Sequence, residues 1–168
     1  MSKGTEAPRV REELPTLLQR GSRGIELGVA KGHYARQLLN SEKFDELWLV
    51  DRWADHHDLL EYHYVVRTMP QARVLRETFK AAADLFEDAS FDFVYVDGYA
   101  HTGQEGGHTL EQWWPKVCPG GIFAGHDYCP KHWRPTVDAV DRFVERHWLT
   151  LNVTSEARYP SWWVRKPW

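Results

Sequence analysis

The sequence predicts an α/β protein built on a doubly wound, mostly parallel sheet of seven strands, finished by an antiparallel C-terminal hairpin strand. Three observations predict it. Short apolar, β-rich runs alternate with amphipathic segments of helical period, the pattern of βαβ units. The runs ending at Asp51 and Asp97 are almost continuously apolar, as strands covered on both faces must be. Glycines and acidic residues recur just past the carboxyl ends of the runs, where open α/β sheets bind ligands.

Taken in order, residues 24–27 form the first strand, and the helical pattern after it runs through Tyr34, Leu38 and Leu39. The second strand, 47–50, ends in Asp51. A weaker third strand lies at 73–75, and a strong fourth at 91–96 ends in Asp97 and Gly98. Leu110, Trp113, Trp114 and Val117 have helical spacing, and this helix is expected to stop at Pro119-Gly120-Gly121. The fifth strand follows at 122–124. Pro135 suits the first turn of a helix, after which Val137, Val140, Phe143 and Val144 share one face. In the tail, Leu149, Leu151 and Val153 alternate with polar residues, and 162–165 forms a second β-like run beyond a turn at Pro160. No internal repeat or low-complexity tract interrupts the series.

At 168 residues the chain is expected to be a single domain, 1–168, with its core in 22–166 and residues 1–8 disordered. A chain of this size buries roughly 70% of its unfolded surface, so neither disulfides nor a structural metal are required. The 21 basic and 24 acidic residues leave a net charge of −3 with no long block of either sign. That balance disfavours a nucleic-acid or anionic-membrane binder. The apolar stretches are short and the amino terminus is charged and lacks a signal-peptide core, so a soluble, cytoplasmic protein is expected. Cys118 and Cys129 have no CxxC or zinc-finger spacing, and no structural disulfide is expected.

Four features at the strand ends carry the chemistry. Glu26-Leu-Gly28-Val-Ala-Lys-Gly32 joins a strand to a helix, where glycine permits a tight turn and close approach of a ligand. It is not the dinucleotide fingerprint, since Ala30 and His33 stand where that motif has its later glycines. Asp51 follows Gly28 by 23 residues, a spacing at which an acid accepts from both ribose hydroxyls. Asp97-Gly98-Tyr99-Ala-His101 and Gly125-His126-Asp127-Tyr128 are the third and fourth. If the fourth and fifth strands are neighbours, their ends lie about 5 Å apart. Asp97 and Asp127 then share one cation, with His126 or His101 as a further ligand, or act without metal as a general base and a hydrogen-bonding group.

Together with Phe91-Asp-Phe-Val-Tyr-Val-Asp97-Gly98 and the run from Trp114 through Gly120-Gly121 to Tyr128, these motifs resemble a class I S-adenosylmethionine-dependent methyltransferase. The likeness covers about residues 22–146 and is closest to small bacterial methyltransferases related to metal-assisted O-methyltransferases. It implies a Rossmann-like fold. It also implies that Glu26 and Gly28 approach the methionine part of the cofactor, Gly32 lets the helix pack closely, and Asp51 holds the ribose. Arg52 and Trp53 would lie near the adenine, with Thr78 and Phe79 bordering it. Asp97 would sit beside the sulfonium and the acceptor, and His126 and Asp127 would face the acceptor, with Asp97, His126 and Asp127 as ligands of Mg²⁺ or Mn²⁺. His101 stands one residue beyond the commoner Asp-Gly-X-His position.

The expected reaction is methyl transfer to a hydroxyl of a small molecule or saccharide. A non-catalytic cofactor-binding or partner subunit is the alternative, and an NAD-dependent enzyme is weakened by the missing glycines. Trp53, His56, His57 and Trp133 are candidates for the cleft wall, whereas at least one of Trp113 and Trp114, and one of Trp162 and Trp163, is expected in the core. Only residues 9–19 and the loops near Trp53 and Trp133 remain to cover the acceptor, which implies an open site or one completed by a second subunit of a homodimer.

Overall fold

The computed structural model describes residues 7–98, 103 and 105–168. Strands and helices alternate as β1 Ser22–Leu27, α1 His33–Asn40, β2 Phe44–Asp51, α2 Leu59–Thr68, β3 Arg73–Arg76, α3 Phe79–Ala83 and β4 Phe91–Val96. Then follow α4 His108–Trp113, β5 Val117–Gly125, α5 Arg134–Arg146, β6 Asn152–Val153 and β7 Trp162–Arg165. The strands make one seven-stranded sheet in the order β3-β2-β1-β4-β5-β7-β6. The pairs among β1 to β5 are parallel, and β7 lies antiparallel between β5 and β6. The Rossmann-like α/β sheet with its antiparallel finish is therefore as expected.

Because the central strands are apolar on both faces, the sheet builds two cores. One face packs Ile25, Leu27, Val94, Val96 and Phe123 against α3, α4 and α5. The other packs Leu47, Leu49, Phe93 and Tyr95 against Tyr34, Ala35 and Leu38 of α1 and against Leu14. Leu14 belongs to a 3-10 turn, Arg11–Leu17, that crosses this second face. Trp113 and Trp162 are fully buried, while Trp114 and Trp163 are half-buried, dividing each pair as the alternation implies. Among the described residues no helix is long and apolar enough to cross a membrane. Both cysteines are free.

Three local expectations change. The helix expected through Val117 ends at Trp113; a 3-10 turn, Trp114–Lys116, follows and Val117 opens β5. Pro115 lacks the N–H that another helical turn needs. Pro119-Gly120-Gly121 is not a helix stop but an irregularity inside β5, where Gly120 takes φ +76° and the ladder to β4 shifts register. Two helices, α2 and α3, were not legible from periodicity: α2 buries only Val65, and α3 is too short to show a period. The signal that marks their starts is a cap: the Asp58 carboxylate accepts from the N–H groups of Leu60 and Glu61, and Thr78 Oγ1 accepts from that of Ala81.

Candidate active site

Register assembles the site. Leu27 pairs with Val50 on one side and Val96 on the other, and Val96 pairs with Gly125. The next residues, Gly28, Asp51, Asp97 and His126, therefore stand level at the strand ends. The ladder continues through three of them: Gly28 donates its N–H to Val50 O at 2.8 Å, Asp97 to Leu27 O at 2.7 Å and His126 to Val96 O at 3.0 Å. Since β2 and β3 lie to one side of β1 and β4 to the other, strand order reverses here and a crevice opens. The crevice is a cleft of about 330 Å³.

Gly28 is required by this geometry. Its φ is +93°, and a Cβ on it would lie 1.8 Å from the carbonyl oxygen of Asp97. Gly32, at φ +75°, lies beneath the cleft, where a Cβ would meet Met69 Cε at 2.4 Å, so it lets α1 sit against α2. Asp51 is turned onto the glycine loop: Oδ2 accepts from the N–H groups of Val29 and Ala30, both at 2.9 Å, and Oδ1 from that of Trp53 at 3.0 Å. Trp53, expected in the cleft wall, is instead buried, its indole N–H donating to Ala30 O at 2.9 Å. It is a strut under the loop.

The cleft is lined by Glu26, Gly28, Asp51, Arg52, Phe79, Asp97 and Asp127 of the predicted residues, with His56 and His57 at its β2 end. Gly32, Thr78 and Trp133 do not line it; Thr78 is spent on capping α3. His126 stands beside it, its Nδ1 3.2 Å from Asp127 Oδ1 and 3.4 Å from Asp97 Oδ1. Burial lowers the affinity of His126 for its proton, but the two carboxylates outweigh that and push its pKa up to about 9. One donor atom from each of Asp97, His126 and Asp127 lies within 4.8 Å of the others, the set expected from the strand ends. Asp127 holds this position at φ +62°, a left-handed conformation that costs a non-glycine residue about 1 kcal/mol. His101 and Tyr99 lie outside the described residues.

Arg11 was not foreseen. Its Nη1 stands 3.2 Å from Asp97 Oδ2, bringing the amino-terminal 3-10 turn onto the cleft. No local pattern marks it.

Glu26 is 1% exposed, and its Oε2 has no hydrogen-bond partner among the described residues. Burial, and then the charge of Asp97, raise its carboxyl well above the usual range while Arg11 opposes them. Unfolded, Glu26 ionises near 4.5, so above that pH folding takes up a proton. Stability from the neutral carboxyl is complete below that pH and falls as pH rises toward the folded pKa, by about 1.4 kcal/mol per unit. Glu26→Gln is expected to raise the unfolding free energy at neutral pH and flatten its decline above about pH 5 in urea titrations. An unchanged profile would contradict a neutral buried carboxyl.

With this geometry in hand, the comparisons with known proteins are informative. Residues 25–128 match the family described as a methyltransferase domain. Over 121 residues the chain is 31% identical to the uncharacterized protein y4gI of Sinorhizobium fredii, a match that takes in 64% of this chain and 13% of that one. The chain thus spans a small part of that relative's length. Similar solved folds include spermidine synthase from Thermotoga maritima, with TM-score 0.68 and 13% identity over 94% of this chain and 58% of that one. A Streptococcus mutans protein assigned as a methyltransferase, in complex with SAH, matches with TM-score 0.66 and 13% identity over 91% and 93% of the two chains. A SAM-dependent O-methyltransferase from Thermotoga maritima matches with TM-score 0.65 and 10% identity over 90% and 61%. The family match spans more than half of the sequence and ends at the strand-end residues just described, and the chain accordingly belongs to the methyltransferase domain family.

Proposed function

We propose that the protein moves the methyl group of S-adenosylmethionine to a hydroxyl of a small molecule or saccharide seated over the ends of β4 and β5. The observation that carries this reading is the convergence of Asp97, His126 and Asp127 at the rim of a cleft whose other end is the glycine loop. Glu26 supports the cofactor assignment, because a buried carboxyl oxygen without a partner among the described residues favours a ligand that brings N–H donors. In this reading Asp51 keeps the glycine loop in shape for the ribose, and Phe79 gives the adenine an apolar wall. Asp97 stands where the methionine end and the acceptor meet.

Two carboxylates and one imidazole are a donor set suited to Mn²⁺ or Mg²⁺, and Asp97, His126 and Asp127 would hold the ion. When bound, it would supply Lewis acidity that lowers the pKa of the acceptor hydroxyl. The chain's own contribution is alignment: methyl transfer is an in-line displacement, and holding nucleophile and carbon in line removes much of the barrier. His126 serves as a ligand or as a base only after losing the proton that Asp97 and Asp127 hold on it, so without a cation it is not a poised base at neutral pH.

Calorimetric titration tests both parts. S-adenosylhomocysteine is expected to bind at micromolar concentration. Mn²⁺ binding is expected to weaken at least about 100-fold in Asp127→Asn, with S-adenosylhomocysteine affinity changed less than about threefold. Unaltered Mn²⁺ binding in that variant would remove the metal from the proposal, and failure of the wild type to bind S-adenosylhomocysteine would remove the cofactor.

A further inference from the structure

We propose that Arg11 binds the α-carboxylate of the methionine portion of S-adenosylmethionine and completes, with Glu26 and Asp97, a pocket for an amino-acid zwitterion. The inference rests on the cofactor reading above and deepens it. Arg11 enters the cleft from outside the sheet, carried on the 3-10 turn Arg11–Leu17. Its guanidinium lies 4.8 Å from the centre of the Tyr34 ring and its Nη1 3.2 Å from Asp97 Oδ2. The backbone at this residue is pinned on both sides. Its N–H donates to Glu156 Oε1 at 2.6 Å, and its carbonyl accepts from the Tyr34 hydroxyl at 3.0 Å. Two residues earlier, at Arg9, the carbonyl accepts from Ser155 N–H at 2.8 Å. The arginine is therefore aimed into the cleft by contacts spread over three parts of the chain.

Charge arrangement selects its ligand. An amino-acid zwitterion needs carboxyl oxygens for its ammonium and a cationic donor, close by, for its carboxylate. Glu26 Oε2 is buried without a partner among the described residues and Asp97 lies next to it past the end of the neighbouring strand, which meets the first need. Arg11 meets the second. Of the other basic side chains that line the cleft, His33 opens α1 after the glycine loop, and Arg52, His56 and His57 follow β2 on the far side of β1 from β4. A guanidinium has five donors in a planar fork, more than Asp97, Glu12 Oε1 at 3.6 Å from Nε and the Tyr95 hydroxyl can use, so it can keep Asp97 and take a second carboxylate bidentately. An arginine placed for an anionic acceptor would stand with Asp127 over β5. Apart from its neighbour Glu12, Arg11 meets Tyr34 on α1, Tyr95 on β4 and Asp97 just past the end of β4, beside Glu26 on β1.

The test compares two ligands that differ by the carboxylate alone: S-adenosylhomocysteine and its decarboxylated analogue, S-(5′-adenosyl)-3-thiopropylamine. Each is titrated calorimetrically into the wild type, Arg11→Met and Arg11→Lys, with circular dichroism confirming that the variants are folded. Arg11→Met is expected to weaken S-adenosylhomocysteine about tenfold to a hundredfold and the amine analogue less than about twofold, with Arg11→Lys between wild type and Met for the first ligand only. Equal losses for both ligands would overturn the assignment and make Arg11 a structural strap. Unchanged affinity for both would overturn it too, placing Arg11 away from the cofactor. If the wild type bound neither ligand, the cofactor reading itself would fall, an outcome distinct from either.

Discussion

Gly28→Ala is expected to destabilise the protein by about 3 kcal/mol or more and to abolish detectable S-adenosylhomocysteine binding. Two penalties act together. The residue sits at φ +93°, where a Cβ is strained whatever surrounds it, and that Cβ would lie 1.8 Å from the carbonyl oxygen of Asp97. The obstacle is backbone, so relief requires moving the end of β1 away from the end of β4. That movement would break the bond from Asp97 N–H to Leu27 O and shift Asp97 away from Arg11 and His126. Gly106→Ala is the control. Its φ is +68°, but its Cβ would meet nothing within 4 Å, so it should lose only the backbone term of about 1 kcal/mol. Urea unfolding of the two variants separates the contributions, and equal losses would show that close approach at Gly28 does not matter.

Asp51→Ala is expected to lower stability by about 3 kcal/mol and S-adenosylhomocysteine affinity at least about 100-fold. The carboxylate accepts three backbone N–H groups, those of Val29, Ala30 and Trp53, and the substitution leaves all three without it. Val29 and Trp53 are buried at 4% and 1% exposure, so water replaces the carboxylate poorly there. Asp51→Asn should fall between, since its amide oxygen still accepts but its NH₂ group opposes the remaining N–H. If Asp51 met only the ribose, binding would fall and the thermal or urea midpoint would not; that result would refute the bracing role.

Much of the site was legible because strand termini are local signals. A two-sided apolar run ends where a polar or glycine residue begins, and in a parallel sheet that end faces the ligand. Glu26, Gly28, Asp51, Asp97 and Asp127 were all readable in this way and all line the cleft. Thr78 and Phe79 show the limit of the rule. They are adjacent in the sequence, yet one caps α3 and the other lines the cleft, because a helix start turns successive side chains apart. Trp53 shows another: an aromatic side chain after a strand end is equally suited to a cleft wall and to a strut, and only its bond to Ala30 O decides.

By itself, then, the sequence determined the α/β class, the strand ends and the chemical identity of the residues at them, since apolar continuity and turn chemistry are properties of short stretches. Only the tertiary structure decided how those residues are employed. It joined Arg11 to Asp97 across 86 positions and turned Asp51 onto the glycine loop across 22. It also closed His126 between two carboxylates that come from different strand ends. The physical reason is that a side chain's partner is set by the register of the sheet and by the strap folded over it, and neither leaves a periodic mark in the chain.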